Sequence, residues 1–398
     1  MGSKQLPVPS GFFGRLFAGW RLGKRGWAGL RAFNATPKSH RRIVFYAETE
    51  ADWAFLGPVC RALETSGERV LKITSDAADG VLDQPDSFFV GFGSARTALF
   101  KSIDTEAFVM TLSDLQTFHL KRSVHPVHYF YIFHSIASTH RVYREHAFDA
   151  YDTILCVGPH HQEEIRKTEE AYGLKAKRLV PHGYGRLDTL IDDISAQAES
   201  ADGGSEELNV LVAPSWGECS IVMHCLDRVI RSLLNGPFTV TIRFHPMTRR
   251  QDPGLPDRLL AEYGPTARFQ FDPHINTTES LLAADIMISE WSGAPLEYAF
   301  ARLRPVIFID TPPKIHNPAW EQVDCPLLEV DIREEIGQVV SLDAIETLPT
   351  VVSDLIGEVD DWANRIRRVR EETVYNLGCS GEVGAGIILE TLDLESRS

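Results

Sequence analysis

Polar residues whose spacing could bind an anion occur in the stretch Leu281–Glu297. A short apolar run ends at Ser289, and Ser292 and Gly293 follow just before Pro295, where a helix is predicted to begin. A strand that turns sharply into a helix collects backbone N–H groups and the positive end of the helix dipole at one point. Proline suits the first turn of such a helix. The pattern therefore predicts a phosphate-binding cradle.

Histidines follow two other predicted strands. His134 comes after the apolar run Tyr129–Phe133, where an imidazole would be either a partly desolvated general base or a core histidine bonded to a backbone carbonyl. Arg243 and His245 alternate at the end of the predicted strand Phe238–Phe244, so both side chains should point the same way. A cation beside a histidine suits a phosphate or its leaving group, although an ordinary strand-end pair gives the same pattern.

Further polar residues are secondary candidates. Glu297, in the first turn of the predicted cradle helix, could accept hydrogen bonds from a ribose or polyol hydroxyl, or could cap the helix dipole. Arg186 and Asp188 follow a predicted strand, where they either line a cleft or cap the next helix. Ser215 is the second residue after the predicted strand Leu208–Ala213.

The elements that must position these residues alternate between strands and helices twice along the chain. The segment Ser195–Glu207 between the two series has the composition of a linker. We therefore predict an α/β protein with two Rossmann-like domains, residues 41–195 and 208–372, and a last helix and tail, residues 373–398, that could reach back across the interface. Ligands of such sheets bind outside the carboxyl ends of the strands, so a cleft between the domains should gather the candidate residues.

Residues 1–40 form a separate basic and aromatic arm. Residues 1–42 hold nine Lys or Arg and no Asp or Glu, and Phe12, Leu16 and Trp20 recur at helical spacing. That combination suits an interfacial helix on an anionic membrane surface, with a leader segment or an arm packed on a partner as alternatives. Glycines along the arm weaken the helix prediction.

The rest of the chain is acidic. It holds 31 basic against 55 acidic residues, a balance of −24, which argues against general nucleic-acid binding. No apolar run is long enough to span a bilayer, and no signal peptide is visible. The six cysteines form no Cys-x-x-Cys pair, and the histidine-rich segment matches no zinc signature. We therefore expect reduced cytosolic thiols, no metal and no cofactor.

Several of these segments together resemble the CDP-glycerol glycerophosphotransferases, which are teichoic-acid polymerase and primase enzymes with a GT-B fold. The resemblance covers residues 128–390 in order. Six motifs of the family have similar segments here. His-Gly-Thr is similar to residues 134–136, Gly-x-Pro-Arg-x-Asp to residues 183–188, and Ala-Pro-Thr-Trp to residues 213–216. Arg-x-His-Pro is similar to residues 243–246, Ala-Asp-x-x-Ile-(Thr/Ser)-Asp-Tyr-Ser-Ser to residues 284–293, and Asn-x-Gly-x-Ala-Ser-Glu-Arg-Val to residues 376–383.

The resemblance implies a two-domain transferase that binds a cytidine nucleotide in its second domain. His134 would be the base that deprotonates an acceptor hydroxyl. Arg243 and His245 would stabilise the diphosphate and the leaving CMP. Ser292 and the neighbouring backbone would hold the phosphates, and Glu297 would take the place of the family's ribose-contacting aspartate.

The chain departs from the family pattern in both domains. Ser135 and Ile136 replace the glycine and threonine that follow the histidine. Gly293 replaces the second serine of the pair, and Glu290 and Glu297 replace aspartates. The phosphate site therefore loses the side-chain hydroxyl of residue 293, and each carboxylate moves out by one methylene.

We expect a membrane-associated transferase, cytoplasmic and peripheral on the inner face of the cell membrane. It would move glycerol phosphate, or a related polyol phosphate, from a CDP-activated donor to a hydroxyl of a polymer or lipid-linked acceptor in cell-envelope synthesis. The alternatives are a GT-B glycosyltransferase that uses a CMP-activated or other nucleotide-activated sugar, a nucleotide-sugar epimerase of the same architecture, and a non-catalytic scaffold.

Overall fold

The computed structural model describes residues 12–200, 207–273 and 278–395. In this part of the chain, two open sheets of parallel strands form one after the other, and helices connect the strands. The α/β class and the pair of Rossmann-like sheets predicted from the sequence are therefore confirmed.

The first sheet has the order β3-β2-β1-β4-β5-β6-β7, and every neighbouring pair is parallel. Most of its strands are buried on both faces, which explains why the sequence shows continuous apolar runs rather than alternation. The strands are β1 Ile43–Ala47, β2 Val70–Thr74, β3 Ser87–Phe89, β4 Ala107–Met110, β5 His128–Ile132, β6 Thr153–Cys156 and β7 Arg178–Pro181.

The second sheet has the order β10-β9-β8-β11-β12-β13 and is also parallel throughout. Its order reverses between β8 and β11, which are neighbours in space although two strands separate them in the chain. The strands are β8 Asn209–Val212, β9 Thr239–Ile242, β10 Phe269–Phe271, β11 Ile286–Ser289, β12 Val306–Asp310 and β13 Gly337–Ser341.

Helices cover both sheets. Those before the second sheet are α1 Phe12–Ala35, α2 Trp53–Thr65, α3 Ser94–Ser102, α4 Thr139–Val142, α5 Pro159–Tyr172 and α6 Gly185–Ser200. Those that follow are α7 Ile221–His224, α8 Leu226–Leu234, α9 Pro246–Gln251, α10 Leu255–Tyr263, α11 Glu279–Ala283, α12 Ala294–Arg302, α13 Leu328–Asp331, α14 Arg333–Ile336, α15 Leu348–Gly357, α16 Val359–Thr373 and α17 Ser380–Glu395.

The predicted linker Ser195–Glu207 is wrong over its first part, because α6 continues to Ser200. Leu190 is buried and Ile194 packs on the core, so the packed stripe of α6 ends just before Ser195 and the helix continues beyond it. The remainder of that linker, residues 201–206, lies outside the described residues.

The sequence also predicts one helix from about Ser220 to Leu234, and another from Thr277 to Ala284 with Asn276 or Thr277 as its cap. The single helix predicted from Ser220 to Leu234 is two helices, α7 and α8, because the φ of −158° and ψ of 12° at Cys225 lie outside the α-helical region. The start of α11 is at Glu279, and the residues proposed as its cap, Asn276 and Thr277, lie outside the described residues.

The arm contains α1, whose second half packs on the first sheet. Leu30 and Phe33 are buried, and a β-carbon on Gly29 would lie 1.9 Å from the carbonyl oxygen of Phe89 in β3. The glycines that weakened the helix prediction therefore allow the helix to approach the backbone of a strand. Earlier on the helix, Trp20 is 58 % exposed. Among the described residues, no helix is long and apolar enough to cross a membrane.

The last helix returns to the first sheet, because α17 packs against α2. Its N-terminus is held by Asp188 of α6, whose carboxylate accepts hydrogen bonds from the backbone N–H groups of Gly378 at 2.8 Å and Ser380 at 3.0 Å. The Ser380 hydroxyl donates to the same carboxylate. Asp188, a secondary candidate for the site, thus lies at the start of α17, where a carboxylate also matches the helix dipole.

Substitution of Asp188 by alanine should lower the free energy of unfolding by about 1–2 kcal/mol, because the start of α17 loses its side-chain acceptor. Chemical denaturation measures this change, and the exposed Asp192 of the same helix supplies the matched control, Asp192→Ala. Equal stability of the two variants would contradict a capping role for Asp188.

Candidate active site

The candidate residues of the second domain gather where the strand order reverses. The chain leaves β8 at Ala213 and Ser215, and it leaves β11 at Glu290, so these two loops lie side by side at the carboxyl ends of neighbouring strands. Open parallel sheets bind ligands at this point because the loops diverge and leave a crevice. The cradle predicted from sequence borders this crevice.

The cradle has the predicted form. The strand β11 ends at Ser289, α12 begins at Ala294, and Pro295 lies in its first turn. Ser292 and Gly293 are partly exposed at the helix start, where unpaired N–H groups can face an anion. The hydroxyl of Ser289 points elsewhere, because it is fully buried and donates to the carbonyl of Ala213 at 2.7 Å.

Glu290 is a buried carboxyl at the centre of the crevice. Its Oε1 accepts hydrogen bonds from the backbone N–H and hydroxyl of Ser215, at 2.8 and 2.9 Å, and from the N–H of Ile221 at 3.1 Å. Its Oε2 is buried and has no hydrogen-bond partner among the described residues. Desolvation raises the pKa of Glu290 to about 7, against the opposing effect of these hydrogen bonds. A carboxyl with this pKa is partly protonated at neutral pH and can donate a hydrogen bond.

His245 is a neutral donor at the edge of the same crevice. Its Nδ1 accepts from the N–H of Met247 at 3.1 Å, so the neutral ring carries its proton on Nε2. Burial lowers the pKa of His245 to about 4, and the charge of Lys314 lowers it further. At neutral pH this histidine can therefore donate a hydrogen bond without carrying a positive charge.

Arg243 directly follows β9 and is partly exposed. It donates to the Ser280 hydroxyl at 3.2 Å, and the charges that act on it come from Asp272, Arg186 and Glu297. The predicted strand Phe238–Phe244 ends earlier, at Ile242. His245 already caps α9, so Arg243 and His245 do not alternate along one continuous strand as predicted.

Lys314 is a cation of the crevice that sequence reasoning missed. It lies beyond β12, and its Nζ stands 4.2 Å from the centre of the Trp216 ring. Trp216 in turn lies against His245, with 6.0 Å between the ring centroids. Burial lowers the pKa of Lys314, while Glu290 raises it. A single lysine after a strand carries no distinguishing motif, so only the fold reveals its place.

His134 lies in the first domain, directly after β5, and its ring remains accessible from the cleft. The hydroxyls of Tyr131 and Tyr143 lie 3.4 Å from its two ring nitrogens. Desolvation by the surrounding protein lowers the pKa of His134, while a hydrogen bond to the backbone of Thr111 and the charge of Glu297 raise it. The ring is therefore neutral at physiological pH, as a general base must be.

The loop after His134 is fixed by other histidines. A ring nitrogen of His160 lies 2.8 Å from the carbonyl oxygen of Ile136, and one of His161 lies 3.1 Å from that of Ala137. These contacts give part of the histidine-rich segment a structural role. Among residues 12–200, 207–273 and 278–395, no group of three or more His, Cys, Asp or Glu side chains could hold a metal ion.

The two domains meet beside His134 through a buried acid. Glu297 of α12 accepts from the Tyr184 hydroxyl at 2.7 Å with one oxygen and from Arg186 Nε at 2.7 Å with the other. The charge of Glu297 raises the pKa of Arg186. Arg186, a secondary candidate, is thus at the cleft, and both it and Glu297 take part in a contact between the domains.

A comparison with protein-family models identifies the cleft-lining part of the chain. Residues 133–312, which include His134, His245 and the cradle, match the model described as CDP-Glycerol:Poly(glycerophosphate) glycerophosphotransferase. This segment is therefore similar to that glycerophosphotransferase family. The resemblance seen in the sequence and the predicted enzyme class, a transferase, are thereby confirmed. A comparison with curated protein sequences gives no match.

Solved structures share the fold. The wall teichoic acid polymerase TagF aligns over 98 % of this chain and 100 % of its own, with a TM-score of 0.60 and 13 % identity. The UDP-GlcNAc 2-epimerase of Methanocaldococcus jannaschii aligns over 88 % of this chain and 99 % of its own, with a TM-score of 0.55 and 12 % identity. At these identities the likeness shows the fold alone, and it confirms the GT-B architecture expected from the sequence.

Replacement of Glu290 by glutamine should stabilise the protein at alkaline pH. The folded-state pKa of about 7 exceeds the ordinary value of 4.5, so the stabilisation from the bound proton is complete below pH 4.5 and is lost as the pH rises through 7. Glutamine mimics the protonated form at every pH. By about pH 8, Glu290→Gln should exceed the wild type by about 3 kcal/mol.

Thermal and chemical unfolding between pH 4.5 and 8.5 measures this difference. The exposed Glu218 provides the control Glu218→Gln, which should show no pH-dependent gain. A constant difference between Glu290→Gln and the wild type over this range would mean that Glu290 does not titrate there.

Proposed function

We propose that the protein transfers glycerol phosphate, or a related polyol phosphate, from a CDP-activated donor to the hydroxyl of a polymer or lipid-linked acceptor. The observation that carries the proposal is the juxtaposition of a neutral histidine of the first domain with the helix start of the second. Ser135, next to His134, lies so close to Gly293 that a β-carbon on the glycine would stand 2.9 Å from its hydroxyl oxygen. A base and an anion site thus share one cleft.

The donor would lie in the second domain. The diphosphate fits at the start of α12, where Ser292 and the backbone N–H groups supply hydrogen bonds to its oxygens. His245 would donate through Nε2 to the leaving phosphate, and Arg243 and Lys314 would balance its charge. Glu290, when protonated, would add no negative charge beside the phosphates. TagF, a protein of this fold, has been solved in a histidine-substituted form soaked with CDPG.

The acceptor would enter beside His134. The acceptor oxygen attacks the phosphorus of the glycerol phosphate and forms the new P–O bond, while the P–O bond to the CMP oxygen breaks and CMP leaves with the electron pair. His134 takes the proton of the hydroxyl. The protein contributes position and charge stabilisation rather than covalent chemistry, as is usual in phosphoryl transfer.

Turnover of CDP-glycerol with an acceptor primer tests the proposal. His134→Ala should lower kcat by about 10²- to 10⁴-fold, because the general base is lost. His245→Ala should lower it by about 10²- to 10³-fold, because a donor to the developing charge is lost. Because the pKa of His245 is about 4, a change in its protonation should not alter kcat between pH 5.5 and 8.

The exposed residues His119 and His224 provide matched controls, and their alanine variants should keep full activity. Circular dichroism and melting temperatures verify that the active-site variants are folded. Full activity of both His134→Ala and His245→Ala would refute the assignment.

A glycosyltransferase that uses a CMP-activated or other nucleotide-activated sugar is the second candidate, because the UDP-GlcNAc 2-epimerase above shares the fold. The same cleft would then direct the acceptor oxygen to an anomeric carbon. Product analysis separates the possibilities, since an epimerase needs no acceptor and a scaffold turns over neither class of donor. Binding of CDP, CMP, UDP and GDP, measured by calorimetry, identifies the nucleotide.

We further propose that the arm holds the enzyme on the anionic inner face of the cell membrane. Trp20 and Trp27 are exposed on α1, and Lys24 lies over the Trp20 ring at 3.6 Å. Exposed aromatic and basic side chains on one helix suit an interface where lipid headgroups are negatively charged. Such a location would bring the cleft to lipid-linked acceptors.

Deletion of residues 1–23 should weaken sedimentation with vesicles that contain anionic lipid, because it removes Trp20 and three basic residues, and each Lys or Arg near such a surface contributes about 1 kcal/mol. This cut spares Leu30 and Phe33, which are buried in the domain, and the hydrogen bond from Trp27 to Ser94. Vesicles of neutral lipid and a high-salt wash are the controls. A truncated protein that sediments as the full chain does would contradict membrane binding through the arm.

A further inference from the structure

Ser135 and Gly293 face each other across the cleft. A β-carbon built on Gly293 would lie 2.9 Å from the Ser135 hydroxyl oxygen and 3.7 Å from the Ser135 β-carbon. The serine belongs to the loop after β5, and the glycine is the residue before α12. A side chain at position 293 would therefore contact the hydroxyl of Ser135 so closely that the hydroxyl would have to move.

The backbone at position 293 does not itself require glycine. Gly293 has φ −75° and ψ −22°, which any L-amino acid adopts without strain. The residue before a helix is, moreover, a position where serine and threonine are favoured. The nearest atoms that such a side chain would meet all belong to Ser135. Glycine at position 293 is therefore explained by Ser135 in the opposite domain, and not by the local backbone.

The Ser135 hydroxyl is available as a donor. It accepts a hydrogen bond from the N–H of Ala137 at 3.2 Å, which is its only hydrogen bond within the described part of the chain. A hydroxyl that accepts in this way keeps its own hydrogen for another partner. Ser135 is partly exposed at the cleft, so that hydrogen can point towards a ligand at the start of α12.

We propose that Ser135 donates its hydroxyl, from the first domain, to the phosphate held at the start of α12, and that Gly293 provides the space for it. This inference rests on the proposed function and deepens it by adding a phosphate-binding residue. In the family pattern, glycine follows the histidine and serine stands at the position of Gly293. This chain has the two residue types the other way round, with Ser135 after the histidine and Gly293 before α12. The exchange keeps one hydroxyl at this point but attaches it to the other domain.

A double-mutant cycle tests the exchange. The proteins are the wild type, Ser135→Gly, Gly293→Ser and Ser135→Gly/Gly293→Ser, and calorimetry measures their affinity for CDP. Ser135→Gly should weaken binding about tenfold, because one hydrogen bond to a charged group is lost. Gly293→Ser should also weaken it, since the new side chain displaces the Ser135 hydroxyl. The double variant should return to within about threefold of the wild type, because contacting residues are strongly non-additive.

Ser135→Ala is the matched control for backbone freedom. It removes the same hydroxyl as Ser135→Gly without loosening the loop, so both should bind CDP equally weakly. Thermal unfolding without ligand adds a second readout, in which Gly293→Ser should melt below the wild type and the double variant should recover.

The outcomes separate this inference from the function on which it rests. If the wild type binds CDP but the two substitutions are additive, or if Ser135→Ala binds as the wild type does, the exchange is refuted and the proposed function stands. If the wild type binds no cytidine nucleotide, both are refuted.

Discussion

The arrangement of the cleft depends on the buried contact of Glu297 with Arg186 and Tyr184. Both carboxylate oxygens are engaged, and the partners come from the start of α6 in the first domain. Removing one partner of a buried ion pair typically costs about 3–5 kcal/mol, because the other charge is left without compensation. The contact therefore fixes the distance between the first turns of α6 and α12. It thereby also determines the distance between His134 and the cradle.

A second buried pair secures the far side of the same interface. Arg141 donates to Glu329 at 2.8 Å, and the N–H of Ser138 donates to the other oxygen of this carboxylate at 2.9 Å. Ser138 belongs to the loop that follows His134, and Arg141 belongs to α4, which begins directly after that loop. The position of the base is thus defined by the opposite domain as well as by its own. Buried hydrogen bonds of this kind specify one arrangement of the chain more sharply than apolar contacts do.

The parts of the site that could be predicted from sequence are those that one local segment determines. The cradle is of this kind, because an apolar strand, small residues and Pro295 follow each other within a few positions and carry their own geometry. Three other features each depend on a partner far away in the chain. They are the direction of the Ser289 hydroxyl, the position of Lys314 near Glu290, and the hydrogen bond of Glu297 with Tyr184. A pattern of residue types along one segment does not contain that information.

Sequence patterns likewise do not predict where α6 ends, or how Arg243 and His245 are placed. The composition of Ser195–Glu207 predicts a linker, but α6, which is anchored on the core by Leu190 and Ile194, continues to Ser200. Alternation along a strand holds only while the strand lasts, and β9 ends before Arg243. In both cases tertiary packing decides where an element ends.

The contact of Gly26 and Gly29 with the first sheet has a consequence for how the molecule avoids self-association. Strand β3 lies at the border of that sheet, and α1 rests on its backbone, with Gly29 against Phe89 and Gly26 against Val90. Border strands offer unpaired backbone groups to any other extended chain. By lying against this strand, the second half of α1 shields it. The arm exposes aromatic and basic residues on its outer side, and its helix thus also protects the border strand from edge-to-edge aggregation.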